Sequence, residues 1–366
     1  MRATAILFVV LSHALWIFPE ASGNLVDLIR LMGVMGVEIF FVLSGFLIGR
    51  ILFRIFTKKE FNSKDLNYFL IRRWFRTLPN YYLALVINIA IAAYFGREHP
   101  ESLWKFFFFL QNAIDGMDLF FPESWSLPVE EFAYIICPFL FYIALLFKWR
   151  IAKERVFLII TLCIIVFFIS TKLVYNYHTP VSDMNYWNIH LKAVVLYRVD
   201  AIYYGVLAAY ISLKKPLLWK FKKGLILFIS FFGFFLFHFF IAKKSLTIEQ
   251  YPFLWNVLYL PVCSILIAFS LPFLSQWKSV PRLISKPVTT ISLISYSMYL
   301  IHYSIILQLM RYLKPIENLS IDEKMIYVII YLTLTILLSY ILYKVYEKPM
   351  MDIRDRPFFT KQFSKL

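Results

Sequence analysis

Arg2 and His13 stand eleven residues apart in the first apolar stretch of the chain, Arg2 at its edge and His13 within it. At about 100° and about 1.5 Å per residue that spacing is three helical turns, so both side chains share a face, roughly 16 Å apart along the axis. Ionisable groups are costly in a hydrocarbon core, which makes an intramembrane histidine a functional-site candidate. A neutral imidazole suits abstraction of a proton from a hydroxyl near neutral pH. An arginine fork suits a phosphate or carboxylate.

Other polar residues interrupt apolar runs. Glu38 opens a second run in Gly33-Val-Met-Gly36-Val-Glu38, either as an interfacial carboxylate on a helix dipole or as a buried acid. Gly33, Gly36, Ser44 and Gly45 suit close helix packing better than ligand contact. Arg72, Arg73 and Arg76 precede Pro79, as a phosphate clamp or as a topology anchor on lipid headgroups. Trp125-Ser126-Leu-Pro128-Val-Glu130-Glu131 opens a fourth run. Pro128 fits the first helical position, and the two acids either satisfy the helix dipole and its free N–H groups or place one carboxylate inside the bundle as a catalytic group or a partner for His13. Arg198 and Asp200 enter a sixth run. Residues two apart do not face each other on a helix, so Arg198 should reach Glu38 or Glu130 on another one. Tyr299 and His302 lie mid-span in the ninth run, where a lone histidine is more often an interhelical hydrogen-bonder than a catalyst.

The elements that must position these residues follow from composition. Of 366 residues 61% are hydrophobic and 16% charged, with a mean hydropathy of +0.69. That excludes a soluble domain and predicts an all-α, polytopic bundle. Ten spans are expected, near 3–19, 33–54, 80–95, 129–147, 156–174, 193–213, 224–242, 253–274, 289–311 and 325–346. With the amino end inside, 26 of the 38 Lys and Arg fall in cytoplasmic segments, which puts both termini in the cytoplasm. Tyr68 to Pro79 reads as an interfacial helix with a basic face. The net charge of +16 is dispersed between spans and does not indicate nucleic acid. Cys137, Cys163 and Cys263 lie in apolar spans without metal-ligand spacing, and no metal site is expected. The organisation expected is one membrane domain over 1–350 and a short basic cytoplasmic tail over 351–366.

These segments resemble the acyltransferase-three family of bacterial integral-membrane O-acyltransferases. The resemblance runs over essentially the whole chain. Arg2-x10-His13 looks like its arginine–histidine pair, and Gly-Val-Glu38-Ile-Phe-Phe-Val-Leu-Ser-Gly, Arg73-x-x-Arg76-x-x-Pro79 and Trp125-Ser-Leu-x-Val-Glu130 are similar to its blocks. So are Arg198-x-Asp200, Ser295-Tyr-Ser-x-Tyr299-Leu-x-His302 and Tyr346-Glu347-Lys-Pro349. Glu38 replaces the family's usual Asp, Phe132-Ala133 its Gln-Phe, and Ser292 a glycine.

The resemblance implies a multi-pass enzyme of the bacterial cytoplasmic membrane. Such an enzyme moves an acyl group, acetyl most often, from acyl-CoA to a hydroxyl of an extracytoplasmic glycan or lipid-linked saccharide, with no permanently bound cofactor. In the mechanism expected, His13 is the general base, oriented by Glu130 with Glu38 as a further catalytic acid. Arg2, Arg73 and Arg76 hold the coenzyme A phosphates. Arg198, Asp200, Trp125, Ser126, Tyr299 and His302 contact the acceptor. Direct transfer and an acyl-histidine intermediate both fit. The rival from another class is a proton-coupled transporter, but paired broken helices and inverted repeats are not evident in the sequence.

Overall fold

A computed structural model describes residues 1–59, 63–147, 151–179, 183–277 and 280–356. Every regular element among them is helical. Ten principal helices follow one another: α1 (Arg2–Ala14), α2 (Asn24–Phe56), α3 (Ser63–Tyr94), α4 (Ser126–Leu146), α5 (Lys153–His178), α6 (Asp200–Lys214), α7 (Lys223–Lys243), α8 (Leu254–Leu274), α9 (Arg282–Leu313) and α10 (Ile321–Arg354). All except α1 and α6 are at least 18 residues long and apolar enough to cross a membrane. The chain is a multi-pass membrane protein. Of the expected tail, residues up to Arg354 continue α10, and 357–366 lie outside the described residues.

Local chemistry sets several boundaries. Gly23, at φ 105°, makes the sharp entry into α2, a conformation that L side chains rarely adopt. Ser320 and Glu323 form a reciprocal capping box at the start of α10. Helix α3 runs straight through Pro79, so the basic stretch expected as a separate interfacial helix is the first half of a long span. Beside this proline, Tyr346 Oη reaches the Pro79 carbonyl at 3.5 Å, which ties the end of α10 to α3.

Close backbone approach brings the elements together. A Cβ on Gly36 would lie 2.6 Å from the Ala5 carbonyl, and one on Gly45 would overlap the Ile202 carbonyl. These glycines therefore let α2 pack tightly against α1 on one side and α6 on the other. The sixth span differs from the continuous helix expected over 193–213. A π-helical turn, Asn188–Lys192, leads to extended backbone at Val194, a 3₁₀ turn at Val195–Tyr197, and then α6. Buried Asn112 secures this break: its side-chain amide donates to the carbonyls of Trp125 (2.8 Å) and Ala193, and its backbone carbonyl accepts from Val195 N at 3.0 Å. Irregular backbone at this depth is tolerable because protein groups satisfy it.

Candidate active site

One narrow cavity joins residues from five helices. Its lining includes Arg2 of α1, Ser44 of α2, Arg73, Arg76 and Thr77 of α3, Ser126 and Glu130 of α4, and Tyr296 and Tyr299 of α9. Val37, Phe40, Phe41, Leu43, Leu47 and Leu127 supply an apolar wall. The volume open to the centre of a water molecule is about 90 Å³, which makes it a slot rather than a chamber. Among the described residues, none of the three arginines forms an ion pair within 4 Å, and the buried Nε of Arg73 has no hydrogen-bond partner. Three guanidinium groups face one slot that holds a single carboxylate, Glu130, which leaves the slot an excess of positive charge suited to an anion.

Glu130 stands in that slot rather than beside His13. It accepts from Tyr134 Oη at 2.8 Å, so the single hydroxyl proton of Tyr134 is committed there. Ser44 Oγ must then donate to Tyr134 Oη, at 2.5 Å. The Arg73 guanidinium lies over the same tyrosine ring, 4.2 Å from its centroid. Its neighbour Glu131 is buried away from the slot and accepts from Thr77 Oγ (3.0 Å) and Trp74 Nε1 (3.2 Å). Of the two acids, Glu130 is therefore the one that faces the slot, and the expected Glu130–His13 contact is replaced by another.

That other contact is between two histidines. His13 Nδ1 lies 2.7 Å from His302 Nε2, across α1 and α9. His302 Nδ1 lies 2.8 Å from the Tyr299 carbonyl and 3.1 Å from that of Met298. A carbonyl only accepts, so His302 Nδ1 carries a proton; neutral His302 then offers a lone pair at Nε2. His13 Nδ1–H must donate to it. The lone pair of His13 is thereby assigned to Nε2, which has no partner among the described residues. His302 takes the orienting place expected of Glu130. Tyr303 packs on the His13 ring at 4.8 Å between centroids.

The histidines lie one layer beyond the slot. Tyr299 lines the slot, its hydroxyl accepts from Ser126 Oγ at 2.7 Å, and its ring stands 5.9 Å from His302. A π-helical turn begins at His302 and frees the Ser304 N–H from the regular ladder. Glu123 accepts that N–H at 2.9 Å and Ser304 Oγ at 2.7 Å, pinning the turn. Such turns inside α-helices are frequent at functional sites.

The remaining expected residues fall elsewhere. Glu38 is not at a helix start: α2 begins fourteen residues earlier, and Glu38 is buried in its middle. Its two oxygens are taken by Arg198 and by Ser264 Oγ at 2.7 Å, so it reaches neither the slot nor His13. Asp200 pairs with Lys172 of α5 at 2.5 Å. Arg198 and Asp200 therefore belong to a buried charge network that anchors the break before α6, and neither lines the slot. Trp125 flanks the slot without lining it; its ring carries Lys192 Nζ 5.6 Å from the centroid.

Lys172, Lys192 and Tyr134 escaped the reading of the sequence. Lys172 had a signal, a lysine inside an apolar run, the same anomaly that exposed Arg198. Lys192 and Tyr134 had none, since an outer-loop lysine and a tyrosine in an apolar helix are ordinary.

A family model described as an acyltransferase domain matches residues 1–344. The chain belongs to the acyltransferase-three family. Among curated proteins it is similar to peptidoglycan O-acetyltransferase OatA of Listeria monocytogenes, 32% identical over 167 residues, which is 41% of this chain and 24% of that protein. It is also similar to the putative peptidoglycan O-acetyltransferase YrhL of Bacillus subtilis, 30% identical over 179 residues, 44% of this chain and 26% of that protein. The match thus spans about a quarter of the length of these relatives. No solved structure matches.

Proposed function

We propose that this acyltransferase moves an acyl group, with acetyl the first candidate, from cytoplasmic acyl-CoA to a hydroxyl of an extracytoplasmic glycan. The observation that carries the reading is the unpaired arginine slot ending at Tyr299, with the oriented His302–His13 pair directly behind it. The names of the two relatives support acetyl as the group and a cell-wall saccharide as the acceptor.

Arg2, Arg73 and Arg76 would neutralise the donor's phosphates. A slot of this width admits a thread-like pantetheine arm with apolar contacts, not a nucleotide, so the nucleotide stays at the arginine end. The roughly 16 Å between Arg2 and His13 is of the order that such an arm spans. His13 Nε2 accepts the proton of the attacking hydroxyl as its oxygen bonds to the thioester carbonyl carbon. The carbon–sulfur bond then breaks, and the imidazolium returns the proton to the departing thiolate. His302 steadies the imidazolium, as the third member of a triad does. Lys192, next to Ser126 through Trp125, supplies a cation for the negative charge that develops on the carbonyl oxygen.

The test uses the full chain in proteoliposomes, with labelled acetyl-CoA as donor and a peptidoglycan-derived saccharide as acceptor. His13→Gln should abolish label transfer while thermal unfolding stays unchanged. Wild-type transfer by that variant would refute the reading.

A further inference from the structure

A second concavity lies on the other side of the broken segment that precedes α6. Its volume on the same measure is about 470 Å³, the scale of a site for a small ligand. Tyr175 and His178 enter from the end of α5, Tyr186 and His190 from the approach segment, Tyr197 from the 3₁₀ turn, and Asp115 from the loop before α4. Tyr186 and His190 stack at 4.2 Å between centroids with a 29° tilt, and Tyr175 meets Tyr197 at 5.0 Å. The arrangement is braced from beneath: a Cβ on Gly116 would lie 2.6 Å from the His190 ring, and Met117 N donates to the Ile189 carbonyl at 3.1 Å.

Two features distinguish this cleft from a band of interfacial aromatics. Tyr175 is more than nine-tenths buried, yet its hydroxyl has no hydrogen-bond partner within 3.5 Å among the described residues. A buried hydroxyl without a partner costs free energy unless a ligand or water satisfies it. Asp115 is also largely exposed at the rim; among the described residues its only ion-pair partner is Lys105 at 3.2 Å, on one carboxylate oxygen. Flat rings beside convergent acceptors and donors match the two aspects of a pyranose, an apolar C–H face and a fringe of hydroxyls.

We propose that this cleft binds a saccharide, holding a neighbouring unit of the acceptor strand while its reacting hydroxyl reaches His13. The approach segment carries His190 into the cleft and, two residues on, Lys192 onto Trp125 beside the slot, so one short segment connects the two. The proposal rests on the acyl-transfer reading for its role, but the binding can be measured without any transfer.

The experiment titrates the full chain in nanodiscs with a soluble β-1,4-linked N-acetylglucosamine tetramer and reads the dissociation constant by calorimetry. Tyr186→Ala and His190→Ala, both at partly exposed positions, should weaken binding by about tenfold or more. Tyr94→Ala, at an exposed aromatic outside the cleft, should leave it unchanged. Absence of binding by the wild type, unchanged affinity in both cleft variants, or equal weakening by Tyr94→Ala would overturn the proposal. Binding that depends on the cleft, in a protein that transfers no acyl group, would support the cleft and refute the transfer reading alone.

Discussion

Replacing His302 tests the histidine pair most directly. In the resting protein the 2.7 Å bond from His13 Nδ1–H fixes which ring nitrogen is basic; during the reaction the same bond holds an imidazolium. A hydrogen bond to a charged group is worth about 1.5–3 kcal/mol. At about 1.36 kcal/mol per tenfold, its loss in His302→Phe should lower kcat by between about tenfold and about 150-fold. His302→Gln should behave differently: the amide oxygen can accept from His13, and the amide nitrogen can donate to the Tyr299 carbonyl, as the native ring does. That variant should stay within about tenfold of wild type, because both bonds are kept. The assay is initial-rate acetyl transfer in proteoliposomes, with thermal unfolding as the control for folding. Wild-type activity in His302→Phe, or equal inactivity of both variants in folded protein, would refute the assignment of the proton to His13 Nδ1.

Arg76→Gln should raise the apparent KM for acetyl-CoA by roughly tenfold, the loss expected for one charge-assisted bond to phosphate, while the KM for the saccharide stays put; steady-state kinetics with each substrate varied in turn would check it. Arg198→Met strands the Glu38 carboxylate in the core and should cost about 3–5 kcal/mol of stability, whereas Arg198→Met combined with Glu38→Met should recover most of it; denaturation in mild detergent reads both. Burial, with help from Arg198, lowers the Lys192 ammonium to about 8. Lys192 is therefore charged below that pH and neutral above it, so transfer should fall as pH rises through about 8. The pH–rate profile of Lys192→Met should lack that alkaline limb, and in Lys192→Arg the limb should move above the accessible range.

Much of the architecture was readable because hydropathy is a bulk property: each of the ten expected spans overlaps a helix. The eleven-residue spacing of Arg2 and His13 placed them on one face of α1 because helical geometry is local. The choice of Glu38 or Glu130 for Arg198 was narrowed by charge and decided by packing, in favour of Glu38. What stayed hidden depends on how helices meet. His13 and His302 are 289 residues apart, and no local pattern says that α1 and α9 touch at that level. Pro79 suggested a break after Arg73 and Arg76, whereas α3 continues through it. That one slot holds Glu130 together with Arg2, Arg73 and Arg76 likewise depends on how α1, α3 and α4 pack.

The π-helical turn at His302 has a consequence for how the ninth helix is organised. A turn of this kind holds one more residue than a regular helix would, which offsets the angular phase of everything beyond it by about 100°. The Arg282–Ile301 half can therefore present Ser295, Tyr296 and Tyr299 to the slot while the Tyr303–Leu313 half faces a different set of neighbours, including Glu123. The two halves are separately indexed, and His302 is the residue at which the index changes. A single continuous helix could satisfy only one of these surfaces.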